Sequence, residues 1–186
     1  VTEFLETECR SGASPEEIAV RLSNDTSQKI NAVFVVHNET STGCTSPIAK
    51  IRKIMDELNH PALLMVDTIS SLASIDYRHD EWGVDVTVAG SQKGLLLPPG
   101  LSFNALSQKA LEISGKGGMA RSYWDWNEQI RANKNGAFPY TPATNLLYGL
   151  EVAIEILQEE GLDAVFARHD RHAKTTRDAV QAWGLE

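Results

Sequence analysis

The chain has 186 residues, of which 42% are hydrophobic, and its 17 basic and 25 acidic side chains give a net charge of −8 at pH 7. This length and composition predict one folded α/β domain, or a large part of one, over residues 1–186 with no internal boundary. The acidic balance argues against binding nucleic acid or an anionic membrane through bulk charge, because phosphate backbones require clustered Lys and Arg. It leaves room for a small phosphate held in a dedicated pocket.

The cysteines and the chain ends bear on the compartment and on completeness. Cys9 and Cys44 cannot build a disulfide framework, and they lack metal-like spacing to each other or to the five histidines, so we expect a reducing compartment and no metal site. The first residues, VTEFLETECR, lack the features of a signal peptide, and no apolar run reaches membrane-spanning length. We expect a cytoplasmic protein, or a peroxisomal one if its source is eukaryotic. Both ends of the chain look cut from a longer polypeptide.

Helical and strand patterns alternate along the chain, which is typical of an α/β layer fold. A capping box from Ser14 to Glu17 begins the first helix, and Ser46-Pro47 begins a second helix with Ile48, Ile51, Met55 and Leu58 on one face. Strands are predicted at 32–36, 62–67, 84–89 and 101–105, and later helices from about 107 to 115 and at 123–133, 144–160 and 162–183. The continuous apolar strands and long connections predict a three-layer α/β/α fold whose mostly parallel sheet is covered on both faces.

Polar segments follow each of the first three strands. They read HNETSTG, DTISS and GSQK. In a parallel sheet, ligands bind at the carboxyl ends of the strands, so these segments are expected to meet at one cleft. Asp67, which opens the second segment, is either a turn cap or a buried carboxylate that requires a cationic partner.

Lys93 is the sharpest feature of the third segment. It has no charged neighbour within seven residues on either side, and it stands between the strand VDVTV and the apolar run LLLPP. It is either a lysine that extends to the surface from a loop, or a desolvated amine able to attack a carbonyl. A lysine that forms a Schiff base, together with a carboxylate that keeps a pyridine nitrogen protonated, is what pyridoxal 5′-phosphate requires.

Other polar residues in these segments have two interpretations each. Thr40 and Ser41 are candidates for the ring hydroxyl, and Ser91 and Gln92 for the phosphate, but either pair is equally compatible with ordinary turn chemistry. GSQKG lacks the spacing of a Walker loop, and no GxSxG nucleophile elbow accompanies His37, which we interpret as a hydrogen-bonded histidine at a strand end. The aromatic run at 123–126 is interpreted mainly as structural packing.

Taken together, several segments resemble a known family. HNETSTG, LLMVDTISSLAS, GVDVTVAGSQKGLLLPPG, RSYWDW and FPYTPATNLLYGLEVAIEILQEEGLDAVFARH are similar to the alanine/serine–glyoxylate aminotransferases, a class V group of the fold-type I pyridoxal-phosphate enzymes. The resemblance covers nearly the whole chain. It implies a homodimeric transferase that moves an amino group from L-serine, or a similar amino acid, to the 2-oxo acid glyoxylate.

The resemblance also implies roles for individual residues. Lys93 would form the Schiff base and act as general base and acid, while Asp67 would pair with the pyridinium nitrogen. The remaining cofactor contacts would be Ile69 on one ring face, Thr40 on the ring hydroxyl, Gln92 on the phosphate, and Tyr140 and Thr141 on the phosphate of the partner subunit. Spacing points nearer to Phe138 than to Tyr140 for the family tyrosine, so that position stays open.

The chain also departs from the family pattern. It lacks the N-terminal Gly-rich phosphate loop and stacking aromatic residue, and the small C-terminal domain with its carboxylate-binding arginine. We therefore expect the central part of a large domain. The alternatives are another class V activity (alanine–glyoxylate or aspartate transamination, or a lyase) and a non-catalytic fragment that binds a partner.

Overall fold

The computed structural model describes residues 2–8 and 10–185, so Cys9 lies outside the described residues. The strands are β1 (Ala32–Val36), β2 (Leu63–Asp67), β3 (Val86–Gly90) and β4 (Ser102–Leu106). The helices are α1 (Pro15–Ser23), α2 (Ile48–Glu57), α3 (Gln108–Gly115), α4 (Trp126–Asn133), α5 (Thr144–Glu160) and α6 (Leu162–Ala182), with a 3-10 turn at Ser122–Trp124. Among the described residues, no helix combines the length and apolar character needed to cross a membrane.

Local sequence signals account for most element boundaries. The Ser14 hydroxyl accepts the Glu17 N–H at 3.2 Å and caps α1, as the capping box predicts. Gly161, at φ +81°, separates α5 from α6 because a left-handed residue ends a helix. The helix after Ser46 begins at Ile48, with Pro47 as its cap, and the predicted place of Leu58 on the buried face is wrong. Leu58 lies just beyond α2 and is exposed.

The sheet has the order β1-β2-β3-β4, in which the first three strands are parallel and β4 is antiparallel to β3. Val36, Asp67 and Val88 lie side by side in the register. The carboxyl ends of three parallel strands therefore lie at one edge of the sheet. This confirms the predicted α/β fold with a mostly parallel sheet.

The two faces of the sheet are covered to different extents. Helices α1 and α2 pack Ile18, Leu22, Ile51 and Met55 onto one face, where Leu64 and other strand residues are fully buried. On the opposite face, Ala110 and Trp126 pack near Leu63 and Val86, toward the amino ends of the strands. The layers are thus α/β/α. The prediction that both faces of the sheet are fully covered is wrong for the described residues. At the other end of that second face, Phe34 is 74% exposed and Val36 is 41% exposed.

Candidate active site

The turn after β2 holds Asp67 by one of its two carboxylate oxygens. Asp67 is exposed, and its Oδ1 accepts the N–H of Ile69 at 2.8 Å. The Thr68 N–H and hydroxyl both donate to the Val88 carbonyl of β3, at 2.8 and 3.0 Å. The interpretation of Asp67 as a turn cap is thus confirmed, yet among the described residues its Oδ2 has no hydrogen bond. Asp67 thus caps the turn with one carboxylate oxygen and leaves the other without a hydrogen bond among the described residues.

The loop that carries Lys93 lies on the later part of this turn, which continues from Asp67 as far as residue 74. Gly94 is buried, and a Cβ placed on it would lie 2.1 Å from the Leu72 carbonyl oxygen and 2.6 Å from the Ser74 hydroxyl. Lys93 therefore follows β3 at a point where its backbone touches the segment that begins with Asp67. This close approach explains why a glycine follows the lysine.

Lys93 itself is exposed, so of its two interpretations the described chain agrees with a lysine that extends to the surface and not with a desolvated amine. The apolar residues that follow it pack elsewhere. Leu97 contacts α5, where a Cβ on Gly149 would come within 2.8 Å of its Cδ2, and Leu146 of α5 packs at Gly100. The LLLPP run thus attaches the lysine loop to α5 and does not enclose the amine.

Ser91 and Gln92 differ in whether their side chains are free to contact a phosphate. Ser91 is fully buried, and its hydroxyl donates to the Pro98 carbonyl at 2.8 Å and accepts the Leu101 N–H at 3.2 Å. In this conformation the Ser91 hydroxyl is unavailable to a phosphate and serves to close the lysine loop. Gln92 is exposed, and its Oε1 lies 2.9 Å from a Cβ built on Gly90. Its predicted phosphate contact stays a prediction.

The loop after β1 presents Thr40 at an exposed tip. Glu39 N–H donates to the Cys44 carbonyl at 2.9 Å, Gly43 N–H donates to the Glu39 carbonyl at 2.8 Å, and Gly43 has φ +73°. The Ser41 N–H and hydroxyl both bind Glu39 Oε1, and these bonds hold the pKa of the Glu39 carboxyl below its ordinary value. Ser41 is thus engaged within the loop, whereas Thr40 is exposed to solvent.

His37 is a hydrogen-bonded histidine at a strand end, as predicted. It is buried, its Nδ1 lies 2.9 Å from the Ser71 hydroxyl, and its ring packs against Tyr77 and Trp82. Burial lowers the pKa of His37, an effect that outweighs the opposing attraction of Asp76, so the neutral imidazole is favoured at neutral pH. This environment does not suit a histidine acting as general base on a bound substrate.

Tyr140 and Thr141 lie in the segment before α5, and both are exposed. The Tyr140 hydroxyl donates to Glu128 at 3.3 Å, and its ring lies 5.0 Å from the ring of Tyr123. Trp126 packs on the sheet, but Tyr123 and Trp124 are exposed, so the interpretation of the aromatic run as mainly structural packing is wrong for the described residues. The contacts predicted for Tyr140 and Thr141 with a partner subunit stay predictions, as does the choice between Tyr140 and Phe138.

Comparison with models of known protein families shows which family the chain belongs to. The model for aminotransferase class V matches residues 16–185. The chain belongs to the class V aminotransferase family. Aminotransferases of this class depend on pyridoxal phosphate.

Curated relatives and solved structures agree with this membership. Serine–glyoxylate aminotransferase of Hyphomicrobium methylovorum is 51% identical over 99% of this chain and 46% of its own length. That of Arabidopsis thaliana is 45% identical with the same coverage, and L-aspartate–glyoxylate aminotransferase of Paracoccus denitrificans is 43% identical over 98% of this chain. Pyridoxamine–pyruvate aminotransferase from Mesorhizobium loti superposes with a TM-score of 0.87 at 29% identity, covering 96% of this chain and 45% of that one. The chain spans about half the length of the curated relatives it matches.

Sequence reasoning missed the hydrogen bonds between the ends of β1 and β2. Asn38 and Ser70 bind each other, and so do His37 and Ser71. The available signal was a pair of consecutive polar residues in the segment after each of these two strands. Recognising them as partners requires knowing that β1 and β2 are neighbours.

Proposed function

We propose that the complete protein carrying this chain is a pyridoxal-phosphate-dependent aminotransferase that transfers an amino group from L-serine, or a similar amino acid, to glyoxylate. The observation that carries the proposal is the packing of the Lys93 loop on the Asp67 turn, seen in Gly94, at the shared edge of three parallel strands. Similarity to serine–glyoxylate aminotransferases at 45–51% identity supports the choice of donor and acceptor.

The residues at this edge fit the cofactor. Pyridoxal phosphate needs an amine for its aldehyde carbon, an anion for its pyridinium nitrogen and polar groups for its phosphate and ring hydroxyl. An exposed amine at Lys93, the unbonded Oδ2 of Asp67, and the exposed side chains of Gln92 and Thr40 provide these groups. When bound, the cofactor supplies an electrophilic carbon and an electron sink for the electrons of a broken Cα–H bond.

The chain's own residues bind, orient and move a proton. Asp67 would hold a positive charge at the ring nitrogen, and its carboxylate is already oriented because the Ile69 N–H donates to Oδ1. Ile69, half-buried in the same turn, offers an apolar surface to one ring face. Lys93 would hold the cofactor through its amine, and the same amine, once free, would serve as the general base and acid that moves the proton of the substrate Cα.

The proposal includes a homodimer in which Tyr140 and Thr141 contact the phosphate bound by the partner subunit. Support comes from the exposure of both residues and from their place immediately before α5, whose Leu146 packs against the lysine loop at Gly100. A segment at this position can present side chains outward while its own helix is anchored to the site.

The experiment compares two lysine substitutions in the complete polypeptide. Lys93→Ala should abolish transamination from L-serine to glyoxylate and also the covalent cofactor label that borohydride reduction leaves on the wild type. The matched control is Lys50→Ala, an exposed lysine of α2, which should keep both. Retention of activity or label by Lys93→Ala would refute the assignment, and L-alanine and L-aspartate as donors test the related specificities.

The exposure of Lys93 and Asp67 favours a second hypothesis, that the 186-residue chain is catalytically inert in isolation. A site open to water on this side binds the cofactor weakly, so the isolated chain would be a folded but catalytically inert part of the enzyme. Titration of the isolated chain with pyridoxal phosphate separates the cases. A visible absorbance band that disappears in Lys93→Ala shows a working partial site, and no band supports the inert reading.

A further inference from the structure

Two consecutive residues beyond β1 bind two consecutive residues of the turn beyond β2. The Asn38 side-chain amide donates to the Ser70 hydroxyl at 3.0 Å, and that hydroxyl donates to the Asn38 carbonyl at 2.7 Å. Beside them, His37 Nδ1 lies 2.9 Å from the Ser71 hydroxyl. These four residues are called the strand-end clamp below.

The clamp begins where the backbone pairing of β1 and β2 ends. The last strand pair is Val36 with Asp67, and His37 N–H adds one more bond to the Asp67 carbonyl at 2.8 Å. Beyond this point the segments that follow β1 and β2 form separate loops. Hydrogen bonds that involve side chains then hold the two segments next to each other. His37 and Ser71 are buried and Asn38 and Ser70 half-buried, so these bonds compete little with water.

The clamp connects the loops that carry the predicted cofactor contacts. Ile69 lies between Asp67 and Ser70, so fixing Ser70 and Ser71 fixes the turn that orients the Asp67 carboxylate. On the other side, the Thr45 hydroxyl donates to Asn38 Oδ1 at 3.2 Å, and Asn38 and Thr45 form a β-bridge that closes the loop bearing Thr40. Asn38 is therefore bonded to both segments through its one side chain.

We propose that Asn38 is a positioning residue for the cofactor site, acting through Ser70 to set the Asp67 turn relative to the Thr40 loop. The inference rests on the proposed function. Neither Asn38 nor Ser70 needs to touch the cofactor. Sites of this kind lose affinity and activity when a supporting hydrogen bond is removed, because the groups that contact the ligand shift from their productive geometry.

The test measures pyridoxal-phosphate affinity and unfolding by urea in the complete polypeptide. Asn38→Ala and Ser70→Ala should each raise the Kd for the cofactor about tenfold, or about 1.4 kcal/mol. The double variant should bind about as well as Ser70→Ala alone, because Asn38→Ala removes only the amide bond to Ser70, whereas Ser70→Ala removes that bond and the hydroxyl bond to the Asn38 carbonyl. The matched control is Ser107→Ala, which also removes hydroxyl bonds (to Asp85 Oδ1 and from Ala110 N–H) but at the opposite edge of the sheet. It should lose stability and keep its Kd within about twofold of wild type.

A conservative variant separates positioning from general destabilisation. Ser70→Thr keeps the hydroxyl and should bind the cofactor like the wild type. The inference is overturned if Ser70→Thr binds as weakly as Ser70→Ala, if Ser107→Ala weakens binding equally, or if the effects of Asn38→Ala and Ser70→Ala add. Should the wild type fail to bind pyridoxal phosphate at all, the proposed function itself fails, which is distinct from a wild type that binds and variants that bind equally well.

Discussion

Replacing Gly94 by alanine tests whether close packing of two loops sets the site. The new methyl would lie 2.1 Å from the Leu72 carbonyl oxygen, 2.6 Å from the Ser74 hydroxyl and 2.9 Å from the Ala73 carbonyl carbon. Two of these atoms belong to the backbone, so rotation of a side chain cannot relieve the contact. Since ordinary contact begins at 3.4 Å, the lysine loop and the Leu72 carbonyl, in the later part of the turn after Asp67, must separate by 3.4 − 2.1 = 1.3 Å along that line.

The expected effects on stability and on activity differ in size. Overpacking of this kind costs about 1–3 kcal/mol of the free energy of unfolding. A displacement of about 1 Å between groups that act on one reacting centre can lower turnover by about 100-fold. We therefore expect Gly94→Ala to fold in the complete polypeptide, with a lower urea midpoint, and to lose far more transaminase activity than stability.

The assay pairs urea unfolding with turnover of L-serine and glyoxylate under cofactor saturation. Gly118→Ala is the matched control, because a Cβ at Gly118 meets nothing within 4 Å, and it should leave both measurements unchanged. Gly149→Ala should lower the urea midpoint and turnover less than Gly94→Ala does, since its Cβ would meet only the flexible Leu97 side chain, at 2.8 Å. If Gly94→Ala retains full turnover, the loop packing does not set the position of Lys93 and the reasoning is refuted.

Two further predictions concern buried polar groups near the site. Ser91→Ala should cost about 1–3 kcal/mol of unfolding free energy, because the Pro98 carbonyl and Leu101 N–H lose their partner, and an unchanged urea midpoint would contradict this. Burial raises the pKa of Tyr77 from 10.0 to about 12. Because the folded value lies above the unfolded one, this contribution to stability is complete below pH 10 and is lost as pH rises toward 12. Tyrosinate absorbance should show one of the four tyrosines titrating last, and Tyr77→Phe should remove that step; its persistence would show that Tyr77 ionises normally.

The elements with strong local signals were predicted well. β1 and α5 have the predicted bounds, because an apolar β-branched run and a periodic helix ending at Gly161 are decided by nearby residues. The convergence of the three polar strand ends was also predictable, since parallel strands place their carboxyl ends at one edge. The roles assigned to Lys93 and Asp67 follow from that placement together with family membership, and they stay predictions.

Other properties depended on which segments meet in space. The apolar run beside Lys93 made a desolvated amine one of two interpretations, but Leu97 packs on α5 and Lys93 is exposed. A serine beside that lysine suggested a phosphate ligand, but Ser91 closes its own loop around Pro98 and Leu101. The types of residue next to a side chain in the sequence do not show which segment of the folded protein will bury it.

The sequence by itself determined most of the secondary structure, the mostly parallel character of the sheet, the family, and a lysine and an aspartate at the ends of neighbouring strands. Only the tertiary structure decided that Gly94 presses the lysine loop onto the Asp67 turn, and that Asn38 joins this turn to the Thr40 loop. The physical reason is the separation along the sequence between the residues that make each contact. Helix caps, strand runs and turns are encoded within a few residues, whereas the contact of Gly94 with Leu72 and that of Asn38 with Ser70 join segments separated by about twenty to thirty residues and form only when the sheet brings them together.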